Sequence, residues 1–371
     1  MIKKLGYYLF AAFFLIFRAF PLQKRKVFLV ATHDDSEEGN IGIAVESFRK
    51  KMPELQFRYL TKKDGIRRPF SFFFVRAYHM ATAGIILLDN IFMPMAYTPV
   101  SKKAKVVQLW HGTGTIKKFA LDSDTGEVAR LAEKANQRIT HLIVNSEQTK
   151  KQYAGAFGVS EEKIYILGLP RTDLILDEHR MEEKKQEFFR QYPELQGKRC
   201  ILYAPTFRDD EVEAPQLGLD LERFISAMGE TEVLLLRLHP HVSGNFSDKM
   251  RERYNGRVCN MSDYPGVTTL LAVSDCLITD YSSIVFEYCL FDRPMVFYAY
   301  DLEVFDRQGR GFYEDYEDFV PGPVVKSQEE LEKLWRGGGL SKEPAAAFRE
   351  KVYEYRDRGA TERLWELIFS K

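Results

Sequence analysis

Apolar residues in this chain come in short unbroken runs separated by stretches with helical spacing. Val27–Ala31, Gly84–Leu88, Lys105–Trp110, His141–Asn145 and Ile164–Leu167 are such runs, and Phe57–Leu60 is a weaker one. An unbroken apolar run of this length predicts a strand buried on both faces, as in a parallel sheet. Gly39–Lys51, Ser71–Thr82 and Ala129–Asn136 read as helices, and Ser146 is placed to cap another. The rhythm pauses over the charged stretch from Asp177 to Gly197, which reads as one helix and a loop, and then repeats. Strands are predicted at Arg199–Ala204, Glu232–Leu238, Val258–Asn260, Cys276–Thr279 and Arg293–Tyr298. Helices are predicted at Asp220–Met228, Val267–Ala272, Ser327–Trp335 and Ala345–Phe369. Regular strand–helix alternation predicts parallel sheets covered by helices. Its recurrence predicts an α/β chain of two doubly wound halves, 23–178 and 179–371, with the last helix able to pack back on the first half. Ligands of such folds sit outside the carboxyl ends of the strands.

The first residues break this pattern. Leu5–Phe17 is apolar nearly all round and is flanked by Lys3, Lys4, Arg18, Lys24, Arg25 and Lys26. The run is short of the ~20 residues that a spanning helix needs. No small-residue cleavage site follows it, which argues against a secretory signal. Aromatic residues with basic flanks predict an amphipathic membrane helix over 1–22, with residues 1–26 meeting an anionic membrane surface. A first helix buried in the globular core is the competing reading.

Composition narrows the picture in three ways. The chain has 371 residues, more than one core usually serves. Lys+Arg and Asp+Glu are both 53, so net charge gives no pull toward nucleic acid. The 4 cysteines, Cys200, Cys259, Cys276 and Cys289, lack metal-ligand spacing and fall mostly in apolar runs, so they read as reduced, buried thiols with no metal site.

Candidate chemistry lies at the predicted strand ends. Leu277–Thr279 is a strand that stops at Asp280 and turns into a helix near Ser282 and Ser283. Such a turn offers unpaired N–H groups and hydroxyls to a phosphate, although a plain helix cap has the same composition. His111 in Trp110-His111-Gly112-Thr113-Gly114 ends another strand, and the glycines let a ligand approach. Its imidazole either takes a proton from an alcohol or only braces the turn. His239 in Leu238-His239-Pro240-His241 is held by Pro240 at a strand end, to neutralise phosphate or to pack a turn. Thr206 offers a hydroxyl, and Arg208 offers either a fork for phosphate oxygens or a surface charge. Arg171 in Gly168–Asp173 and Arg310 in Arg310–Tyr313 close the set. No GxGxxG fingerprint and no Walker lysine loop is present, which removes dehydrogenase and P-loop readings.

In order, the segments Trp110–Phe119, Val144–Glu147, Gly168–Asp173, Tyr203–Asp210, Leu236–His241, Ile278–Tyr288, Asp292–Tyr298 and Arg310–Pro323 resemble the CDP-glycerol glycerophosphotransferases of teichoic acid synthesis. The resemblance covers about residues 105 to 325. It implies a GT-B-like fold of two facing Rossmann-type domains, an acceptor domain at 23–178 and a CDP-donor domain at 179–371. It implies a peripheral enzyme on the cytoplasmic face of a bacterial membrane, with a prenyl-diphosphate-linked saccharide as acceptor. His111 falls on the family's catalytic base and His239 on its second required histidine. Thr206, Arg208, Thr279, Asp280, Ser282, Ser283 and Arg310 fall on donor and phosphate-binding motifs, and Gly112, Thr113 and Arg171 on the acceptor side of the crevice. No cofactor is required, and Mg²⁺ is left open as a companion of the donor; so is a homo-oligomer. Two departures bear on which polyol is used: Gly114 stands where the family commonly has Pro, and Glu287 where it commonly has Asp. The length resembles the primases more than the larger polymerases. CDP-ribitol as donor, a nucleotide-sugar glycosyltransferase and a membrane-bound binding module without catalysis are the alternatives.

Overall fold

The computed structural model describes residues 2–206, 208, 217–238 and 252–370. Two compact units emerge. The first comprises Met1–Gly114, Lys118–Leu174 and Val352–Lys371, and the second Thr115–Lys117 and Ile175–Lys351.

The first unit holds six parallel strands: β1 (Gln23–Ala31), β2 (Gln56–Thr61), β3 (Ala83–Leu88), β4 (Lys105–Gln108), β5 (His141–Val144) and β6 (Ile164–Ile166). Their order across the sheet is β2-β1-β3-β4-β5-β6. The central strand β3 is buried along its whole length, as an unbroken apolar run requires in a sheet covered on both faces. The second unit holds β7 (Arg199–Tyr203), β8 (Glu232–Leu236), β9 (Val258–Asn260), β10 (Cys276–Thr279), β11 (Met295–Tyr298) and β12 (Val324–Val325). Their order, β9-β8-β7-β10-β11-β12, is the 3-2-1-4-5-6 order of a doubly wound sheet. The order reverses between β1 and β3 in the first sheet and between β7 and β10 in the second. Those two switch points are where ligand-binding loops gather.

Three expectations need correcting. The N-terminal helix Ile2–Phe17 is not a separate membrane segment: Phe10 is 0% and Phe14 1% exposed, packed with Phe28, Met80 and Phe92 in the first core. Its outer face still carries exposed Leu5, Tyr8, Leu9, Leu15 and Ile16. Among the described residues no helix is long and apolar enough to cross a membrane. The predicted helix Ala345–Phe369 is two helices, Glu343–Val352 and Ala360–Phe369. Asp357 accepts the Gly359 amide at 2.9 Å and the Nη1 and Nη2 groups of Arg363, which stabilises a turn between them. The second of these helices docks on the first unit, where Leu364 and Ile368 join the core around Val27 and Phe48. Asp173 caps its start, accepting from the Ala360 and Thr361 amides at 2.9 and 2.8 Å. Gly168, at φ 77, lies so close that an added Cβ would meet the Ala360 Cβ at 3.2 Å. The third correction is that Ser71–Arg76 is a π-helical turn before the short helix Ala77–Ala81, so the Ser71–Thr82 helix is irregular in its first half.

Candidate active site

In the first unit, Thr32–Asp34, Asp89 and Leu109–His111 follow directly from β1, β3 and β4, and so crowd at one edge. Asp89 organises them. Its carboxylate accepts the backbone N–H groups of Thr32, His33 and Asp34 at 3.0, 3.1 and 2.9 Å. Burial pushes its carboxyl above the usual range, against the pull of those amides. Its backbone carbonyl stands 2.9 Å from Nδ1 of His111. A carbonyl only accepts, so Nδ1 carries the hydrogen and Nε2 keeps its lone pair.

The turn that presents His111 is held under strain. Trp110 adopts φ 57, a left-handed conformation that bulky residues avoid. The Gln108 side chain accepts its N–H at 2.9 Å, and the Asn40 side chain donates to its carbonyl at 3.1 Å. Tyr153 donates to the Gly112 carbonyl at 2.8 Å, and Asn145 donates to that of Thr113. Thr113 is 2% exposed, and its carbonyl helps brace this turn. Arg171 is also committed: Nη2 meets Asp34 at 2.6 Å, and its amide donates to Asn40 at 3.0 Å. The His111 ring lies between Trp110 and His33, with the His33 ring at 3.7 Å and 10°. Burial pushes the His111 pKa down to about 3; His33 and Arg171 add to this, while the Asp89 carbonyl and Asp34 oppose it. The ring is therefore neutral at physiological pH, an acceptor at Nε2, and an anionic substrate beside it would raise its basicity.

The second switch point has a different character. Arg208 does not offer its fork to solvent. Its Nε and Nη2 meet the two oxygens of Asp301 at 2.8 Å each, and Nη1 meets Asp280 at 2.7 Å and the Thr206 carbonyl at 2.6 Å. Burial disfavours its charge, yet the Asp301 bonds and the Asp280 field more than offset this and hold its pKa above the usual value. Arg208 thus clamps the Asp280 and Asp301 loops together, with its guanidinium engaged by both carboxylates. Asp280 is 1% exposed and also accepts the Thr206 and Tyr281 amides, at 2.7 and 2.6 Å. Thr279 is buried and donates to the Ala204 carbonyl at 2.6 Å. Both hold the loop and do not face outward.

Thr206 Oγ1 is buried without a hydrogen-bond partner among the described residues. Ser282 and Ser283 are half-buried, and the helix after them spans only Ile284–Tyr288 before tightening into a 3₁₀ turn. Its dipole is correspondingly small, so the hydroxyls and loop amides matter more there than a helix terminus. Arg310 is exposed beside Gly311. Its loop is tied within the second unit by the Tyr313 amide on the Ile116 carbonyl at 3.2 Å. His239 lies outside the described residues.

His33, Asn40, Asp89 and Asp301 were not read from the sequence. All but Asn40 stand just past a strand's last residue, the same signal that singled out His111.

A family model for CDP-glycerol:poly(glycerophosphate) glycerophosphotransferases matches residues 12–370. The chain is 31% identical to a teichoic acid ribitol-phosphate primase of Bacillus spizizenii, over 97% of this chain and 94% of that one. It is 32% identical to the teichoic acid poly(ribitol-phosphate) polymerase of the same organism over 99% of this chain, and spans 60% of that polymerase's length. A glycerol-phosphate primase of Bacillus subtilis is 32% identical over 68% of this chain and 65% of its own length. In fold, the wall teichoic acid polymerase TagF matches with a TM-score of 0.83 at 24% identity, covering 99% of this chain and 94% of TagF. UDP-GlcNAc 2-epimerase from Neisseria meningitidis matches with a TM-score of 0.57 at 12% identity, covering 93% of this chain and 100% of the epimerase. Two parallel doubly wound sheets, with motif histidine and serine loops at their carboxyl edges, belong with these proteins, and the chain is a member of the CDP-glycerol:poly(glycerophosphate) glycerophosphotransferase family.

Proposed function

We propose that this chain transfers glycerol phosphate from CDP-glycerol to a hydroxyl of a prenyl-diphosphate-linked saccharide, releasing CMP, in teichoic acid synthesis. The observation that carries the reading is His111. Its Nδ1–H is directed at the Asp89 carbonyl and burial keeps it neutral, so Nε2 is available as a base. The acceptor hydroxyl gives its proton to Nε2 as its oxygen attacks the donor phosphorus that bears glycerol. The bond from that phosphorus to the CMP oxygen breaks. Ser282, Ser283, Thr206 and Arg310 are the groups assigned to the donor phosphates, where fixed donors stabilise the charge gathering on the leaving group. Arg208, with Asp280 and Asp301, holds the loop from which Thr206 projects. His239 is assigned to assist at the leaving group.

The test is CMP release from CDP-glycerol with a prenyl-diphosphate disaccharide, wild type against His111→Ala. Release that persists in the variant removes the base assignment. Absence of release from wild type removes the donor or acceptor assignment. CDP-ribitol is the second reading, favoured by the ribitol-phosphate primase that matches over nearly its whole length. The same assay with CDP-ribitol separates the two, and EDTA against added Mg²⁺ decides whether the cation accompanies the donor.

We also assign the enzyme to the cytoplasmic membrane face as a peripheral protein. Support comes from the exposed side of the N-terminal helix, where Leu5, Leu15 and Ile16 are 69%, 51% and 60% exposed in a region flanked by basic residues. Leu15→Glu with Ile16→Glu leaves Phe10 and Phe14 in the core and is expected to release the protein from anionic vesicles in flotation. Unchanged flotation refutes the surface assignment.

A further inference from the structure

The His33 ring lies face to face on the ring of His111, 3.7 Å away and within 10° of parallel. Nothing in the family motifs singles it out. Both rings depend on one residue: the Asp89 carboxylate accepts the His33 amide, and the Asp89 carbonyl meets His111 Nδ1. The His33 loop is fixed again by Arg171 on Asp34. His33 is exposed while His111 is partly covered, so His33 roofs one flat face of His111, and stacking on that face leaves the in-plane Nε2 lone pair uninvolved.

We propose that His33 is the positioning residue of the base: it keeps the His111 ring aligned with its Asp89 bond and takes the pair's first proton, so that Nε2 of His111 stays available to the acceptor hydroxyl. The proposal rests on the reading of His111 as base.

Two imidazolium rings at 3.7 Å repel, so the pair accepts one proton well before a second. The surrounding groups decide which ring receives it. The Asp34 carboxylate, next in sequence to His33, draws the proton there; Arg171 and Lys62 oppose it. At His111, Nδ1–H is already donated to a carbonyl, so a proton can only add at Nε2. The deeper position of that ring makes its charge costlier, and His33 and Arg171 add repulsion against the weaker pull of Asp34. The Asp89 carboxylate is occupied by three backbone amides. Burial lowers the proton affinity of both rings, with His33 the less affected.

The experiment compares His33→Phe, which keeps a flat ring without a proton site, with His33→Ala, which removes the ring. The expected pH profile of kcat/KM for CMP release has its acid limb about one pH unit higher in His33→Phe, because His111 becomes the first site to be protonated. Above that limb kcat stays within about threefold of wild type, as the aligning contact is retained. His33→Ala is expected to lower kcat about tenfold or more at every pH with the KM for CDP-glycerol unchanged. An acid limb that does not move in His33→Phe overturns the proposal, as does a His33→Ala defect confined to KM. Histidine ring NMR of the wild-type chain, assigned with whichever single variant folds, needs no turnover. His33 titrating first, with His111 in the Nδ1–H form, is the expected result; His111 titrating first overturns the proposal. If the NMR order holds while wild type releases no CMP, the donor or acceptor assignment fails and the paired-ring assignment stands.

Discussion

At the carboxyl edge of the first sheet, Asp89 uses its carboxylate on three backbone amides and its carbonyl on a ring N–H, and a histidine lone pair is left over. At the matching edge of the second sheet, Asp280 and Asp301 close on Arg208, and the three charges are directed at one another. The topology of the two edges is alike: each is the point where strand order reverses. Their electrostatics differ because the first edge leaves a neutral imidazole with a free lone pair, whereas the second spends its charges on holding a loop together. A charged residue in a family motif is thus not necessarily a group that touches ligand.

The sharpest way to break this comparison is at the first edge. His111→Ala should reduce CMP release by about 10²–10⁴-fold, the usual contribution of a general base. Its melting temperature should stay near that of wild type, measured by circular dichroism. At the second edge the dominant effect should be on stability. Arg208→Ala leaves two buried or half-buried carboxylates without their cation and should cost about 3–5 kcal/mol in urea unfolding. If the variant is fully stable and only the KM for CDP-glycerol rises, Arg208 is a ligand group after all and the contrast between the edges fails.

The pH dependence of stability follows from both edges, with the sign set by each group. Burial opposes ionisation of Asp301, but the bonds from Arg208 outweigh it and its pKa lies below the usual carboxylate value. Its contribution is therefore present above about pH 4 and lost as pH falls through the native value. His111, held to about 3 in the fold and near 6.5 when unfolded, makes stability fall as pH drops from 6.5 toward 3, because only the unfolded chain takes up the proton there. Melting curves of Asp301→Asn and His111→Phe against wild type should flatten in those two windows respectively. The smallest effect is expected from Ser282→Ala with Ser283→Ala, about a 3–10-fold rise in KM for CDP-glycerol with no loss of stability, the size of one or two hydrogen bonds.

Much of the fold was legible because buried parallel strands write themselves as apolar runs: β1, β3, β4, β7 and β10 all fall where Val27–Ala31, Gly84–Leu88, Lys105–Trp110, Arg199–Ala204 and Cys276–Thr279 placed them. The break between Val352 and Ala360 was not legible. Its stretch has helical composition, and the turn depends on an Asp357–Arg363 pairing that only geometry reveals. The N-terminal helix was ambiguous for a related reason. A helix that is apolar all round fits both a core and a lipid surface, and here one face packs while the other stays exposed. At the site, strand-end position found His111 but not which partners each charge would choose. That Arg208 prefers Asp280 and Asp301 depends on three loops from β7, β10 and β11 meeting, a three-body arrangement no motif records.

The helix Ala360–Phe369 has a consequence for biogenesis. It supplies Leu364 and Ile368 to the core around β1, its amides are capped by Asp173, and Lys105 binds its final carbonyls, at 2.6 Å for Ile368. A ribosome that has already made all six strands of the first sheet therefore still carries an incomplete first unit, with an apolar groove uncovered beside Phe48. The whole second unit is translated during that wait. It can close its own core before the first is sealed, and the nascent chain is most exposed to chaperone capture over just that interval.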